Sequence, residues 1–197
     1  QDESISGQKN PIMTTIAQSY MLNKDLKNAA RLFREVIQRE ASDAKSRNSL
    51  AAIVMKEGNT TEAKRLWLEA CQLEPEFSSP RFNLGKQLMR EQRTAEAMTL
   101  FLEYYALEPA DPDAHNYLSM GYLRSKEFAK AEIHLRRLIE LRPDDGIAYT
   151  NLAKVYLSLR NLSAAREIVN LGLQAEGIDP RSRQTLQKMR EQLYGRE

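Results

Sequence analysis

Apolar residues recur along the chain at the spacing i, i+3, i+4 and i+7, in successive segments that short polar stretches separate. In residues 78–111, Leu84 and Leu88 form one such stripe, and Ala97, Phe101 and Tyr104 form the next. This period is typical of amphipathic helices with one buried face. Because the polar stretches are short, consecutive helices must run antiparallel. The pattern therefore predicts an all-α protein built of helical hairpins.

The helical hairpins repeat with a period of 34 residues. The clearest marker of the repeat is a column of alanines: Ala29, Ala63, Ala97, Ala131 and Ala165. The register holds over five units, which are residues 10–43, 44–77, 78–111, 112–145 and 146–179. In every unit the eighth residue is small, so the first helix and the alanine of the second helix can approach closely. Repeats of this length predict a solenoid of stacked helix pairs.

Further columns point to one repeat family. An aromatic or aliphatic residue follows each alanine by four positions, and three units end in proline, at Pro75, Pro109 and Pro143. These columns resemble the tetratricopeptide repeat, whose pattern is W-x2-L-G-x2-Y, then A-x3-F, then P. The resemblance covers residues 10–179, although the tryptophan position is degenerate here. It implies a right-handed superhelical α-solenoid whose first helices line a concave groove.

The two ends of the chain depart from the repeat. Residues 1–9 are polar and aperiodic, so we expect a disordered lead-in or linker there. Residues 180–194 show one more helical segment with few apolar residues, as expected of a capping helix that closes a stack of repeats. The sequence thus predicts one domain over residues 10–197. Capping side chains are expected to begin its helices, at Asn10, Ser79, Asp111, Asp179, Asp43 and Asp145.

Composition narrows the function only a little. With 42% hydrophobic residues and a net charge of +2, the chain is typical of a soluble globular protein and gives no support to a nucleic-acid partner. No apolar run approaches the ~20 residues needed to span a bilayer. Cys71 is the single cysteine, so no internal disulfide is expected. The chain begins at Gln1 rather than methionine, which is compatible with a removed signal peptide or a missing neighbouring domain and leaves its localisation undefined.

The sequence shows no pattern of catalytic or metal-binding residues. The two histidines, His115 and His134, have no spaced partners that would complete a metal site, and His115 falls at the degenerate tryptophan position, where a packing role is expected. The eight glycines form neither a phosphate-binding loop nor a nucleophile turn. We therefore expect no cofactor and no enzymatic activity.

The resemblance implies that positions 2, 5, 9, 12 and 13 of each unit face the groove. Position 12 is apolar in every unit and position 13 is mostly basic, so an apolar ladder runs beside a basic one. The candidate peptide-binding residues are Met21, Met55, Lys56, Phe82, Lys86, Met89, Arg90, Asn116, Met120, Arg124 and Lys154. Methionine adapts to varied apolar side chains, and the cations favour an acidic segment. Two other interpretations are that the methionines fill the core and that the cations stabilise helix C-termini.

The function predicted from these columns is a non-catalytic scaffold that holds a peptide segment of a partner protein, acidic and with apolar side chains. None of three successive windows holds the Lys/Asn/Asn/Lys/Arg set that some family members use to clamp chaperone C-termini, which argues against that ligand. Two alternatives stay open: a self-associating spacer module, in which the chain forms a homo-oligomer, and the recruiting arm of a larger enzyme.

Overall fold

The computed structural model describes the backbone of residues 3–195 and the side chains of residues 10–195. Over this range the chain forms eleven helices and no strand, which fits five helix pairs followed by a capping helix. The helices are α1 (Glu3–Leu22), α2 (Leu26–Arg39), α3 (Ala44–Lys56), α4 (Thr60–Leu73), α5 (Ser78–Arg90), α6 (Thr94–Leu107), α7 (Pro112–Arg124), α8 (Phe128–Leu141), α9 (Gly146–Ser158), α10 (Leu162–Gln174) and α11 (Pro180–Tyr194). The all-α class and the antiparallel helix pairs predicted from the sequence are confirmed.

The helices group into two compact units, residues 1–93 and 94–197. In unit 1, each of the helices α1 to α4 packs on the helix that follows it. In unit 2, the same holds from α6 to α11, and α11 also contacts α9. Within each unit, consecutive helices therefore bury their apolar stripes against one another, as the short connections require.

The alanine column lies at the centre of both units. All five alanines are 0% exposed, and the residues four positions later are nearly as deep: Phe33, Trp67, Phe101, Leu135 and Val169. The small side chain lets the two helices of a pair come close, and the large one fills the space beside the contact. This packing reproduces what the two columns predict.

The turns inside the pairs share one backbone conformation. The fifteenth residue of each 34-residue repeat has a positive φ, and only the second repeat places a glycine there. The residues are Lys24, Gly58, Gln92, Lys126 and Arg160. The next backbone N–H bonds back to the carbonyl of position 11, as in Asp25 N to Tyr20 O at 2.9 Å. This bond closes the helix C-terminus in the manner of a Schellman motif.

Helix starts follow the sequence prediction in most cases. Side chains of Asp43, Asp111, Asp145 and Asp179 accept backbone N–H bonds at the starts of α3, α7, α9 and α11. The expected cap at Ser79 is wrong, because α5 begins at Ser78, two residues earlier than predicted, after Phe77, which makes no side-chain cap. The connection before α5 ends in a turn in which the N–H of Phe77 bonds to the carbonyl of Glu74, so the chain enters the helix ahead of Pro80.

The first helix is longer than the sequence predicts. It begins at Glu3 and contains Pro11, so Asn10 lies inside α1 instead of capping it, and residues 3–9 of the expected lead-in are helical. Extending an existing helix towards its N-terminus avoids the unfavourable nucleation step, which explains why polar residues can join it. Residues 1 and 2 lie outside the described residues.

The last helix closes unit 2. Leu186, Met189 and Leu193 are buried, and the guanidinium of Arg166 on α10 donates to the carbonyl oxygen of Leu193 at 2.8 Å. Gly146 at the start of α9 lies against Ser182 so closely that an added Cβ would be 2.4 Å from the Ser182 Cβ. The N-terminal ends of α9 and α11 therefore meet at close range.

Candidate interaction surface

The first helices of unit 1 carry seven of the candidate residues. Lys56 and Arg90 are exposed in the last turns of α3 and α5, and neither forms an ion pair within the described residues. Met21 and Met55 are half-buried, so each presents part of its side chain to solvent. Cations beside a partly exposed apolar strip are what the sequence predicts for this face.

Met89 does not fit the predicted surface. Its side chain is 5% exposed, so it fills the core and offers no area to a peptide. The reason lies in the helical spacing, because position 12 comes four residues after the buried eighth position, here Gly85, and so borders the packed stripe. The interpretation of position 12 as core filler is right for this repeat.

Two contacts preorganise the middle of the unit 1 surface. The Lys86 ammonium lies 4.8 Å from the centre of the Phe82 ring, a cation–π contact that holds both half-buried side chains in place. The Asn83 amide donates to the side-chain oxygen of Asn48 on α3 at 3.1 Å. Asn48 therefore already has one hydrogen-bond partner on the neighbouring first helix.

One carboxylate borders the unit 1 cations and is itself satisfied. Glu91 follows Arg90 at the end of α5, and its carboxylate accepts bonds from Gln87 at 3.0 Å and from the Lys64 ammonium at 2.9 Å. These hydrogen bonds lower the pKa of Glu91, and the bond from Gln87 has the larger effect. Lys64 and Arg93 balance this charge, so Glu91 does not neutralise the positive charge of Arg90.

The first helices of unit 2 carry the remaining candidates. Asn116 and Met120 on α7 are half-buried, and Arg124 on the same helix is exposed. Asp113, the acid that precedes them, lies 2.8 Å from the guanidinium of Arg142. This pairing offsets the negative charge on α7, so the face stays favourable to an anionic group.

A concave feature of unit 2 lies between α9 and α11. It is a surface depression of about 490 Å³ lined by Ile147, Thr150, Asn151, Lys154, Asp179, Arg181, Ser182 and Thr185. Lys154 is the only one of the candidate residues that lies in it. Ile147 is 61% exposed and Lys154 is also exposed, which places an apolar side chain and a cation on the same helix face, seven residues apart.

Asp179 and Arg181 set the charge at the α11 side of this depression. Hydrogen bonds from Ser182, and from the N–H of Arg181, hold the pKa of Asp179 below its ordinary value, so its carboxylate remains ionised as the helix cap. Its charge is thus committed to the end of α11. Lys154 and Arg181 supply two positive charges against the one negative charge of Asp179, so the depression has a net positive charge.

The residues that sequence reasoning missed here are Ile147, Thr150 and Thr185. Ile147 and Thr150 occupy positions 2 and 5 of the fifth repeat. The resemblance places these positions in the groove of every repeat, so listing them for all five repeats would have found both residues. Thr185 lies on the capping helix, where the repeat register has ended. Its place beside α9 depends on the packing of α11, which no column encodes.

A second cluster of polar and aromatic side chains lies away from these positions, between α6, α7 and α8. His115 is 3% exposed, in accordance with its predicted packing role, and its Nδ1 lies 3.0 Å from Nδ1 of His134. Its Nε2 lies 3.1 Å from the carbonyl oxygen of Pro109, which can only accept, so His115 donates there. When both rings are neutral, Nδ1 of His115 accepts in this contact and Nδ1 of His134 donates to it.

Burial favours this neutral state. It is the main cause that lowers the pKa of His134 to about 4, with His115 adding to the effect, and it also lowers the pKa of His115. Tyr105 meets both rings edge-on and Tyr122 stacks on His134 with ring centres 5.6 Å apart. Two protonated imidazoles at this distance would repel each other.

We expect unit 2 to lose stability in mild acid. Unfolded histidine takes up a proton near pH 6.5, whereas His134 in the fold does so only near pH 4. The stabilising contribution is therefore complete above about pH 6.5 and is lost as the pH falls from there to about 4. Because His134 is partly exposed, we expect a loss on the order of 1–2 kcal/mol, measured by urea unfolding at pH 7 and pH 4.5.

The control for this prediction is His134→Phe, which keeps a ring beside Tyr122 and removes the titrating group. Carboxylates also titrate in this range, so the informative quantity is the difference in pH dependence between the two proteins. The variant should show a smaller drop between pH 7 and pH 4.5. Equal drops in both proteins would contradict the assignment to the histidine pair.

The described residues contain no group of three or more His, Cys, Asp or Glu side chains arranged to hold a metal ion. Within the same part of the chain, no helix combines the length and the apolar character needed to cross a membrane.

Comparison with known proteins agrees with the repeat register. A model of the tetratricopeptide repeat matches residues 88–152 and again residues 122–189, which together span more than half of the chain. No curated protein sequence matches the chain.

Several solved structures share the fold. The crystal structure of MamA superposes with a TM-score of 0.74 at 18% identity, covering 85% of this chain and 92% of MamA. YrrB, described as a TPR protein with an unusual peptide-binding site, gives 0.75 at 16% identity, covering 89% of this chain and 90% of its own. PilF of Pseudomonas aeruginosa gives 0.72 at 18% identity, covering 98% and 95%. At these identities the likeness concerns the fold.

Proposed function

Because this chain belongs to the tetratricopeptide repeat family, whose members generally act as protein-interaction scaffolds, we propose that it is a non-catalytic scaffold that binds a peptide segment of a partner protein. The peptide lies along the first helices and combines acidic with apolar side chains. The observation that carries the proposal is the depression between α9 and α11, where Ile147 lies beside Lys154 and Arg181.

The chemistry of this depression favours such a ligand. An exposed Ile147 offers apolar area, and Asn151 and Thr185 offer hydrogen-bonding groups beside it, whereas Thr150 is buried and its hydroxyl donates to the carbonyl oxygen of Gly146. The cations attract a carboxylate and speed its capture, although each exposed charge contributes only modestly to affinity. The volume of about 490 Å³ is large enough for side chains of a peptide, which would extend along α9.

The remaining candidates extend the same proposal to the other first helices. In unit 2, Asn116, Met120 and Arg124 on α7 repeat the combination of polar, apolar and basic groups. In unit 1, Lys56 and Arg90 lie beside the half-buried Met55 and the Lys86–Phe82 pair. That YrrB has a peptide-binding site on the same fold supports a peptide as the ligand class.

We expect selection from a random displayed peptide library to enrich segments that carry Asp or Glu next to large aliphatic or aromatic residues. In the variant Lys154→Glu/Arg181→Glu, the affinity for the enriched peptides should fall roughly tenfold or more, since each reversal replaces an attraction of about 0.5–1 kcal/mol by a repulsion. Fluorescence anisotropy with a labelled peptide measures the loss. Far-UV circular dichroism should be unchanged.

The matched control is Arg31→Glu/Arg190→Glu, which changes the net charge equally at exposed positions of α2 and α11 that do not line the depression. This control should bind like the wild type. A separate variant, Lys56→Glu/Arg90→Glu, tests the unit 1 cations. An equal loss in the control and in Lys154→Glu/Arg181→Glu would reduce the effect to net charge, and a library without enriched sequences would argue against peptide binding altogether.

A further inference from the structure

The first repeat exposes two positions that every later repeat buries. At position 7 the exposed fraction is 3% for Leu50 and Leu84 and 0% for Leu118 and Leu152, but 44% for Ile16. Position 3 shows the same contrast: its later members are buried, whereas Ile12 is 59% exposed. Ile12 and Ile16 are one helical turn apart and form a continuous apolar strip on α1, since residues four apart share a face.

The contacts of the later repeats show what normally covers this strip. In unit 1, α2 packs on α3 and α4 packs on α5, and in unit 2, α6 packs on α7 and α8 packs on α9. The larger of these contacts come from the second helix of the preceding repeat, which runs antiparallel to the helix it covers because only a few residues connect the two. A smaller contact comes from the preceding first helix, as between α3 and α5 and between α9 and α11. For α1 no helix among the described residues takes this place, so an antiparallel helix from outside would continue an interface that the fold already uses.

The charge of α1 indicates which helix that is. Residues 10–23 contain no charged side chain, although 28% of the whole chain is charged, and the charged residues of α1, Glu3 and Lys9, come before this stretch. In a two-fold symmetric contact the same surface meets itself, so any charge close to the axis faces a like charge. A neutral apolar strip avoids this repulsion, whereas a different partner could use complementary charges. The opposite end of the chain offers no match, since the outer face of α11 carries Gln184, Gln187, Lys188 and Glu191, all exposed.

We propose that α1 is the contact between two copies of this chain, which pair their α1 helices antiparallel about a two-fold axis. Ile12 and Ile16 of one copy pack against the same residues of the other, and the exposed Thr15 lies close to the axis. The dimer is weak, because a single helix pair buries less than the ~800 Å² per partner of a standard stable interface. It forms independently of peptide binding at the first-helix surface.

Sedimentation equilibrium of the full chain tests this dimer. The average mass of the wild type should rise from 22.6 kDa towards twice that value as the concentration increases to the order of 100 µM, as expected of a small interface. Ile16→Lys should stay at 22.6 kDa. The control Ile133→Lys, at an apolar position that is 65% exposed on α8, should dimerise like the wild type. A wild type that stays monomeric, or an Ile16→Lys protein that still dimerises, would overturn the proposal.

A thermal scan at low concentration separates this result from misfolding, since Ile16→Lys alters an exposed residue and should leave the melting temperature of the monomer unchanged. The geometry is tested by oxidation with copper–phenanthroline after Cys71→Ser removes the native thiol. Thr15→Cys should then form a covalent dimer, and the exposed Ser163→Cys on α10 should not. A reversible dimer in which Thr15→Cys fails to cross-link would overturn the antiparallel α1 contact.

Discussion

Replacing Phe101 by alanine is expected to lower the free energy of unfolding of unit 2 by about 3–5 kcal/mol, the range found for truncating a buried aromatic side chain. Phe101 is 0% exposed and stacks on Tyr117 with ring centres 4.7 Å apart. The variant loses the apolar area of the ring and its contact with Tyr117, and it leaves a cavity between α6 and α7. Such a cavity is expensive because the interior of a helix pair is closely packed and relaxes only in part.

Urea unfolding followed by circular dichroism measures this loss. The matched control is Leu102→Ala, the next residue on α6, whose side chain is 45% exposed and should cost far less. If both variants were destabilised equally, the effect would come from the helix itself and the assignment of Phe101 to the centre of the packing would be wrong.

The second large effect is expected from the opposite change, an enlarged side chain in the alanine column. Ala131 on α8 is 0% exposed at the contact of two helices, so Ala131→Leu must push them apart or adopt a strained rotamer. We expect a loss on the order of 1–3 kcal/mol, although leucine adds apolar area and is a good helix former. The alanines recur because the helix separation leaves no room at these points.

Ala129→Leu provides the control for that experiment, since Ala129 is exposed on the same helix and accepts a leucine without a change in packing. Thermal unfolding of the two variants should differ by several degrees, with Ala129→Leu close to the wild type. A column variant as stable as its control would mean that the helix pair adjusts, and that the regular spacing of the alanines has another origin.

The sequence predicts the helices well because their boundaries depend on local chemistry. Asp43, Asp111, Asp145 and Asp179 cap helices as expected, since a carboxylate two or three residues ahead of a free N–H acts within one turn. The predicted start of α5 is wrong because no side-chain cap decides it. A backbone turn at Phe77 decides it, and nothing in the Ser79-Pro80 signal reveals that turn.

The candidate surface is less predictable, because the exposure of a side chain depends on its neighbours as well as on its column. Met55 and Met89 share position 12, yet one is half-buried and the other is buried. The depression beside Lys154 also depends on Gly146, whose missing side chain lets α11 approach α9. Repeat position therefore predicts which face a residue shares, and packing between particular helices decides how much of it a partner can reach.

The histidine pair shows the same limit. His115 and His134 are 19 residues apart and lie on different helices, so their contact depends on how α7 and α8 are rotated against each other. The two rings also explain why a histidine can replace the usual aromatic residue at position 4. The hydrogen bond between the two rings satisfies one nitrogen of each, which makes a polar pair tolerable in a buried place.

The turns inside the helix pairs have a consequence for how this chain can change over evolution. Lys24, Gln92, Lys126 and Arg160 hold a left-handed conformation that costs a residue with a side chain about 1 kcal/mol, and only Gly58 avoids that cost. Replacing one of these four residues by glycine would remove that cost, although the greater entropy of glycine in the unfolded chain would offset part of the gain. The chain has therefore kept an unused reserve of stability at four exposed turns, from which destabilising substitutions elsewhere on its surface could be compensated.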